Sequence, residues 1–344
     1  MHQQKGGSLM YMNKVTNFIE LSKIMLPTVR KMLCFSLLAV LLTGCTNDEQ
    51  TSQKYESSHV ESINQGESTS QDESTQMMNG KQNSSYSYDS PAPQDTLEVC
   101  FLKVGKADAI VLLCGEETMV IDCGEEDDGK EVLAFLGSRD VKEVDVLMIT
   151  HFDKDHVGGA DTLVRGIPVK RVLLPAYTGS GTEYTDFIGA VEKAGINPEN
   201  VTENLNLTLG SASLYIEPPA SYEIPKGANE YDNDFSLITT AEFCGKRFIF
   251  TGDIEKQRIR EWLAGGSAAE CDVLKIPHHG VYNKALADLM SVTKPSHTVI
   301  CDSQKNPADV KTLELIRKTG ADCMQTQYGD ITIICSGDGI EIHQ

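Results

Sequence analysis

The residues whose types and spacing are best suited to chemistry lie in one short segment, residues 150–159, with the sequence THFDKDHVGG. Imidazole and carboxylate groups are the ligands that proteins offer to Zn²⁺ and to harder cations such as Mn²⁺. A solvated charge cluster is the alternative, but it would not need two histidines. We therefore predict a metal site, with four candidate ligands within six residues: His151, Asp153, Asp155 and His156.

The elements around this segment explain how it could hold an ion. Residues 144–150 are apolar except for Asp145, which predicts a buried strand directly before the ligands. A loop fixed at the end of a buried strand can direct several side chains to one point. Gly158 and Gly159 allow close passage of the backbone and the start of the next helix.

Other segments resemble, in the same order along the chain, those of the metallo-β-lactamase superfamily. The pattern H-x-D-x-D-H-x-G-G is similar in particular to the β-lactamase-like domain of ComEC-type competence proteins, and the resemblance extends over nearly all of residues 96–344. Its further segments are VIDCG at 120–124, NDFSL at 233–237, TGDIE at 251–255 and LKIPHHG at 274–280.

The resemblance implies a site for two divalent metal ions, which we expect to be zinc or manganese, with magnesium as a further option. One ion would take His151 and Asp153, the other would take Asp155 and His156, and Asp253 would bridge both. The second histidine of the PHHG segment aligns with a ligand of the relatives, so we expect His279 to bind metal and His278 to support it or contact substrate; the reverse assignment stays open. Asp122 is expected to be structural or to orient a ligand histidine.

The chain departs from many superfamily members because residues 157–277 contain no histidine. The equivalent position lies near Asp232 and Asn233, where an oxygen ligand would complete the first metal site. Alternatively, Asn233 forms a turn. We include Asp155, His278 and Asn233 as candidate catalytic residues.

The pattern of apolar segments predicts the fold class. Strand-like runs come in groups and then alternate with helical patterns, which indicates an α/β (α+β) chain with mixed sheets covered by helices. The resemblance implies an αββα sandwich of two mixed β-sheets flanked by helices, comprising one hydrolase domain over residues 96–344.

The residues before this domain predict export and anchoring. Arg30 and Lys31 precede a short apolar stretch that ends in LTGC at residues 42–45, which resembles a bacterial lipobox with Cys45 as the lipidated residue. We predict an export signal over 1–45, of which 1–24 is a possible gene-model extension. Residues 46–95 are polar and acidic, which predicts a disordered tether. The predicted location is therefore the outer face of a bacterial cell membrane, reached through a lipid anchor.

Charge and motifs together bound the function. The 344 residues have a net charge of −20, and residues 96–344 alone carry 23 basic and 40 acidic residues. An acidic domain disfavours nucleic acid as a partner, because such binding relies on Lys and Arg. We expect a monomeric metal-dependent phosphodiesterase or nuclease-like hydrolase acting on a phosphodiester or small molecule. The alternatives are a hydrolase of another ester or a lactone, and a surface lipoprotein that binds metal or ligand without turnover.

Overall fold

The computed structural model describes residues 96–223 and 231–344, so the predicted export signal, Cys45 and the tether lie outside the described residues. The described residues form two β-sheets. The first sheet has eight strands, and the second has seven. Both sheets mix parallel and antiparallel pairs.

The strands of the first sheet are β1 (Leu97–Phe101), β2 (Ala109–Cys114), β3 (Glu117–Cys123), β4 (Val144–Met148), β5 (Val169–Pro175), β6 (Glu199–Val201), β14 (Ile331–Ser336) and β15 (Gly339–His343). Those of the second are β7 (Leu205–Leu209), β8 (Ala212–Glu217), β9 (Ile238–Phe243), β10 (Lys246–Phe250), β11 (Val273–Lys275), β12 (His297–Ile300) and β13 (Asp322–Gln325). The strand order is β15-β14-β1-β2-β3-β4-β5-β6 in the first sheet and β13-β12-β11-β10-β9-β8-β7 in the second. The α-helices are α1 (Gly129–Ser138), α2 (Lys154–Val157), α3 (Ala160–Gly166), α4 (Thr182–Lys193), α5 (Lys256–Gly265), α6 (Leu286–Thr293) and α7 (Val310–Thr319).

The described residues form four layers, in the order helices, sheet, sheet and helices, and an apolar cluster fills each of the three spaces between them. The cluster between the sheets includes Phe101, Phe248 and Phe250. The outer face of the first sheet packs against α1, α3 and α4, and that of the second packs against α5, α6 and α7. Each helix buries one apolar face and leaves the other polar, as expected of amphipathic helices on a sheet. The predicted arrangement of two mixed β-sheets flanked by helices is confirmed.

The parallel strands decide where a site can form. β3, β4 and β5 are parallel neighbours in the first sheet, and β10, β11 and β12 are parallel neighbours in the second. In open α/β sheets, ligands bind beyond the carboxyl ends of such strands. The predicted ligand segments follow β4, β10 and β11. In the described part of the chain, no helix is long and apolar enough to cross a membrane.

Candidate metal centre

The loop after β4 is fixed by a buried carboxylate. Asp122, near the end of β3, accepts a hydrogen bond from the backbone N–H of Thr150 at 2.7 Å and another from the Thr150 hydroxyl at 2.7 Å. The same carboxylate lies 2.8 Å from Nδ1 of His156. Asp122 thus ties the start of the loop to one of the predicted ligands and directs the other ring nitrogen, Nε2, into the site.

Aromatic packing holds the other side of this loop. The side chain of Phe152, between two predicted ligands, packs against the rings of Tyr177 and Tyr184 with centroids 4.7 and 4.5 Å away. The Tyr177 hydroxyl accepts a hydrogen bond from the Phe152 backbone N–H at 2.8 Å. Because Phe152 is turned into this apolar contact, His151 and Asp153 on either side of it project the other way, as alternation along an extended segment requires.

The second sheet contributes Asp253 and His279. Asp253 follows β10, and its backbone N–H donates to the Ser236 hydroxyl at 3.1 Å, while that hydroxyl lies 3.3 Å from His151 Nδ1. His279 lies in a tight turn, His278–Gly280, after β11. Its Nδ1 is 2.9 Å from the carbonyl oxygen of Cys301, which orients Nε2 toward Asp253. Loops from both sheets therefore meet at one point.

The predicted ligands converge on Asp253. Its Oδ2 lies 3.2 Å from His156 Nε2 and 3.0 Å from His279 Nε2. His279 Nε2 also lies 3.4 Å from Asp155 Oδ2. On the other side of the cluster, His151 Nε2 lies 3.6 Å from Asp153 Oδ2. The structure thus brings together the six residues named as metal ligands, whose individual roles stay predictions.

The donor atoms fit divalent cations. Within the described residues, Nε2 of His151, His156 and His279 is buried in each case without a hydrogen bond of acceptable geometry. Buried polar atoms in proteins almost always have a partner, so three convergent orphaned nitrogens need an explanation. Two groups of donor atoms each lie within 4.8 Å of one another: His151, His156 and Asp253, and Asp155, His156 and His279. Imidazole nitrogens combined with carboxylate oxygens are a donor set for Zn²⁺ or Mn²⁺.

The electrostatics of the cluster favour charged side chains. Burial opposes protonation of His279, but the carboxylates of Asp253 and Asp155 outweigh it and raise its pKa to about 9. Burial also opposes ionisation of Asp155 and Asp253, yet the neighbouring histidines lower the pKa of both carboxyls well below their ordinary values. The carboxylates are therefore strongly attracted to positive charge, which divalent cations can supply.

An acidic group lies beside the first predicted metal position. Burial and the nearby Asp153 carboxylate raise the pKa of Asp232, whereas His151 acts in the opposite direction. Oδ1 of Asp232 and Oδ1 of Asn233 are both buried without a hydrogen-bond partner in the described chain. Asp232 therefore offers an oxygen atom near His151 and Asp153, whereas the side-chain amide of Asn233 donates to Glu255.

His278 has different surroundings from its neighbour. Its Nδ1 lies 3.1 Å from Glu255 Oε1, and the same oxygen accepts a hydrogen bond from the Asn233 side-chain amide at 3.4 Å. The His278 side chain is 21% exposed, whereas that of His279 is fully buried. Two of the candidate catalytic residues, His278 and Asn233, are thus connected through Glu255 at the edge of the cluster. This arrangement supports His279 as the ligand.

Two buried residues of the cluster were not singled out from the sequence. Lys275 is fully buried, and its ammonium contacts Asp253 and Asp108. Asp108 precedes β2 and is 1% exposed. Each carried a weak signal, because Lys275 interrupts the apolar run before PHHG and Asp108 directly precedes the apolar run 109–114. Neither signal indicated that the two side chains meet.

Comparisons with known proteins agree with this architecture. The family model described as the metallo-beta-lactamase superfamily matches residues 103–301. ComE operon protein 3 of Bacillus subtilis is 28% identical over 206 residues, which is 59% of this chain and 26% of that protein. Recombination protein 2 of Haemophilus influenzae is 23% identical over 217 residues, 62% of this chain and 25% of that protein. The chain spans about a quarter of the length of these curated relatives.

The matches among solved structures have lower sequence identity. The diiron β-hydroxylase CmlA from Streptomyces venezuelae has a TM-score of 0.44 at 17% identity, covering 70% of this chain and 54% of CmlA. The metallo-β-lactamase fold protein YhfI from Bacillus subtilis has a TM-score of 0.43 at 9% identity, covering 66% of this chain and 95% of YhfI.

The resemblance to ComEC-type competence proteins inferred from the ligand motifs is confirmed by the two curated relatives. Members of the family matched here are typically metal-dependent hydrolases. Since the family model covers more than half of the sequence and the ligand loops follow the strands as described, the chain belongs to the metallo-β-lactamase superfamily.

Proposed function

We propose that the protein is a binuclear metal-dependent hydrolase that cleaves phosphodiesters at the outer surface of a bacterial cell. The observation that carries this proposal is the convergence of three buried imidazole nitrogens, none of which has a hydrogen bond of acceptable geometry, with the carboxylates of Asp155 and Asp253. Two bound divalent cations would supply the chemistry, because they lower the pKa of water from about 15.7 toward about 7 and stabilise charge on the attacking and leaving oxygens.

The residues of the chain have separable tasks in this proposal. His151, Asp153, Asp155, His156, Asp253 and His279 hold the cations, with Asp232 or Asn233 supplying an oxygen to the first. Asp155 is ionised and its side chain is 22% exposed, so it is also placed to accept a hydrogen bond from an attacking water. Glu255 holds His278 through Nδ1 and leaves Nε2 directed away from that contact, so that the imidazolium form of His278 can donate from Nε2 to a substrate oxygen.

Charge bears on the size of the substrate. The basic residues that follow the ligand loop are engaged on the surface: Arg165 pairs with Asp161, Lys170 with Asp145, and Arg171 with Glu199. A long polyanion would need unpaired basic residues along its path. This observation favours a small phosphodiester over DNA, and it supports a small ester or lactone as the second candidate substrate class.

The activity test uses the purified full chain loaded with Mn²⁺ or Zn²⁺. The substrates are bis-p-nitrophenyl phosphate, single-stranded DNA and a panel of lactones, and the variants are Asp155→Ala and Asp253→Ala. Asp288→Ala, an exposed residue of α6, is the matched control. We expect hydrolysis of the phosphodiester by the wild type and the control, and its loss in both site variants. Equal rates in all four proteins would exclude a catalytic site here and leave a metal-binding lipoprotein as the remaining function.

Surface attachment is a separate part of the proposal and rests on the lipobox-like segment at 42–45. A diacylglyceryl group on Cys45 would hold the domain at the membrane through the apolar area of its lipid chains. We expect Cys45→Ala to move the protein from the membrane fraction to the soluble fraction, with Cys34→Ala as the matched control. Continued pelleting of Cys45→Ala with membranes would contradict lipid anchoring.

A further inference from the structure

A buried ammonium group lies directly beside the predicted metal ligands. Lys275 is the last residue of β11, and its side chain is fully buried. Its Nζ donates to the carbonyl oxygen of Gly252 at 2.9 Å and lies 3.3 Å from Oδ1 of Asp253. Its own carbonyl oxygen accepts a hydrogen bond from the Thr251 hydroxyl at 2.9 Å. Lys275 thus contacts three consecutive residues of the loop after β10.

The two oxygens of Asp253 face different groups as a result. Oδ1 is directed to the Lys275 ammonium, while Oδ2 is directed to Nε2 of His156 and of His279. A carboxylate with one oxygen held by a fixed cation has a defined rotamer and a single oxygen available to metal. Groups that orient ligands in this way tune metal affinity and ligand geometry.

Asp108 completes the arrangement. Its Oδ2 forms an ion pair with Lys275, and its Oδ1 lies 3.6 Å from Nδ1 of His279. A buried ammonium is costly unless its charge is compensated, so Asp108 allows Lys275 to remain charged without neutralising Asp253 fully. Both carboxylates that contact Lys275 have a second oxygen near a ligand histidine: that of Asp253 faces Nε2 of His156 and His279, whereas that of Asp108 faces Nδ1 of His279.

We propose that Lys275, with its charge balanced by Asp108, is a positioning residue that holds Asp253 so that only Oδ2 is presented to the metals. Asp253 then binds through one oxygen, and the ammonium reduces the negative charge of the site. This inference rests on the metal site of the proposed function and not on its reaction. It concerns the geometry and affinity of metal binding.

The test measures metal binding without turnover. Co²⁺ is titrated into the purified full chain, and the dissociation constant and the visible absorption spectrum are recorded for the wild type and for Lys275→Met/Asp108→Asn, which removes both charges of the buried pair. We expect the double variant to fold, to bind Co²⁺ about 10- to 100-fold more weakly, and to show a changed spectrum because Asp253 is free to rotate. A folded double variant with wild-type affinity and spectrum would overturn the proposal.

Two further variants keep the test decisive. Lys246→Met/Asp272→Asn removes a partly exposed Lys–Asp ion pair away from the site, with Nζ and Oδ1 3.0 Å apart, and it should leave the Co²⁺ spectrum unchanged. If Lys275→Met/Asp108→Asn does not fold, Co²⁺ binding is measured for the single variant Asp108→Asn instead. Without the Asp108 carboxylate, the Lys275 ammonium is balanced by Asp253 alone and competes more strongly with metal for that carboxylate. Weaker Co²⁺ binding than the wild type therefore supports the proposal, and binding equal to that of the wild type overturns it. Absence of Co²⁺ binding by the wild type would instead contradict the metal site itself.

Discussion

At the scale of single residues, the main feature of this protein is that each predicted ligand histidine is oriented by a second group. Asp122 holds His156, the carbonyl oxygen of Cys301 holds His279, and Ser236 contacts His151. A metal site needs such fixed ligands, because an unfixed imidazole loses affinity through the entropy of its rotation. The sequence named the ligands, but most of the groups that orient them come from distant parts of the chain.

The two adjacent histidines provide the sharpest residue-scale prediction. His279 Nε2 is buried among carboxylates, whereas His278 is partly exposed and contacts Glu255. We expect His279→Gln to lose bound metal, measured by elemental analysis of the purified protein. His278→Gln should keep its metal and lose about 10²- to 10⁴-fold in kcat if His278 donates to the substrate.

The reverse pattern, with metal lost from His278→Gln and retained by His279→Gln, would show that the ligand assignment is wrong. Equal metal content and equal kcat in both variants would exclude both roles.

At the scale of secondary-structure elements, the site depends on close contact between the ligand loop and the first sheet. A Cβ atom added at Gly159 would lie 2.4 Å from both the carbonyl oxygen of Cys123 and the backbone nitrogen of Gly129. The end of β3, the start of α1 and the start of α3 therefore approach one another through backbone atoms. This contact explains the glycine at position 159, and a Cβ atom at Gly158 would likewise lie 2.4 Å from the carbonyl oxygen of Lys154.

We predict that Gly159→Ala destabilises the protein by at least about 1–3 kcal/mol, because the added methyl group has no space and the backbone must shift. The free energy of unfolding from urea titration measures the effect. Gly189→Ala is the matched control, since it lies on the exposed face of α4 with open space around it. This control should stabilise the protein by about 0.5–1 kcal/mol. Equal stability of the two variants would contradict the close contact.

The acidic turn before α1 predicts a dependence on pH. Burial, reinforced by neighbouring acidic residues and opposed by the Glu125 backbone N–H, raises the pKa of Asp128 to about 6. A raised carboxyl pKa contributes stability below its unfolded value of about 3.9, and this contribution is lost as pH rises through about 6.

The difference in melting temperature between Asp128→Asn and the wild type should therefore shift in favour of the variant from pH 4 to pH 8, because the variant lacks a carboxylate that is costly to ionise. The control is Asp127→Asn, in the same turn but with a side chain that is 95% exposed. Its melting temperature should differ from that of the wild type by the same amount at both pH values. Thermal melts at both pH values measure the effect. A difference for Asp128→Asn that does not change with pH would contradict the raised pKa.

At the scale of the whole molecule, the site joins the two sheets. His151, Asp155 and His156 follow β4 of the first sheet, whereas Asp253 and His279 follow β10 and β11 of the second. A bound cation would therefore link the two layers of the sandwich at one edge. Binding to the folded state alone stabilises it by mass action.

We expect Mn²⁺ or Zn²⁺ at 100 times its dissociation constant to stabilise the wild type by about 2.7 kcal/mol. Differential scanning calorimetry with and without metal measures the effect. EDTA should reverse it, and Asp253→Asn should reduce it strongly. Asp288→Asn is the control and should respond as the wild type does. A metal-induced shift of equal size in Asp253→Asn would show that the cation binds elsewhere.

The sequence by itself determined the family, the four-layer class and the identities of the candidate ligands. It could do so because four of the candidates lie within six residues of one loop, so the local conformation of that loop already brings their side chains together: His151, Asp153, Asp155 and His156. Apolar periodicity likewise predicted most central strands. It did not reveal the hairpin β7–β8 or the edge strands β6, β13 and β15, where short or partly exposed strands have a weak pattern.

Only the tertiary structure decided which distant groups surround the ligands. Asp108 and Lys275 are 167 positions apart and meet because the start of β2 and the end of β11 lie at the same edge of the sandwich. The environment of His279 differs from that of His278 because one turn buries the first and leaves the second partly exposed. Contacts between sheets depend on how whole layers pack, which no local pattern encodes. The spacing of residues along the chain therefore predicted the ligand residues of the loop after β4, whereas the packing of the strands brings Lys275 into contact with Asp253.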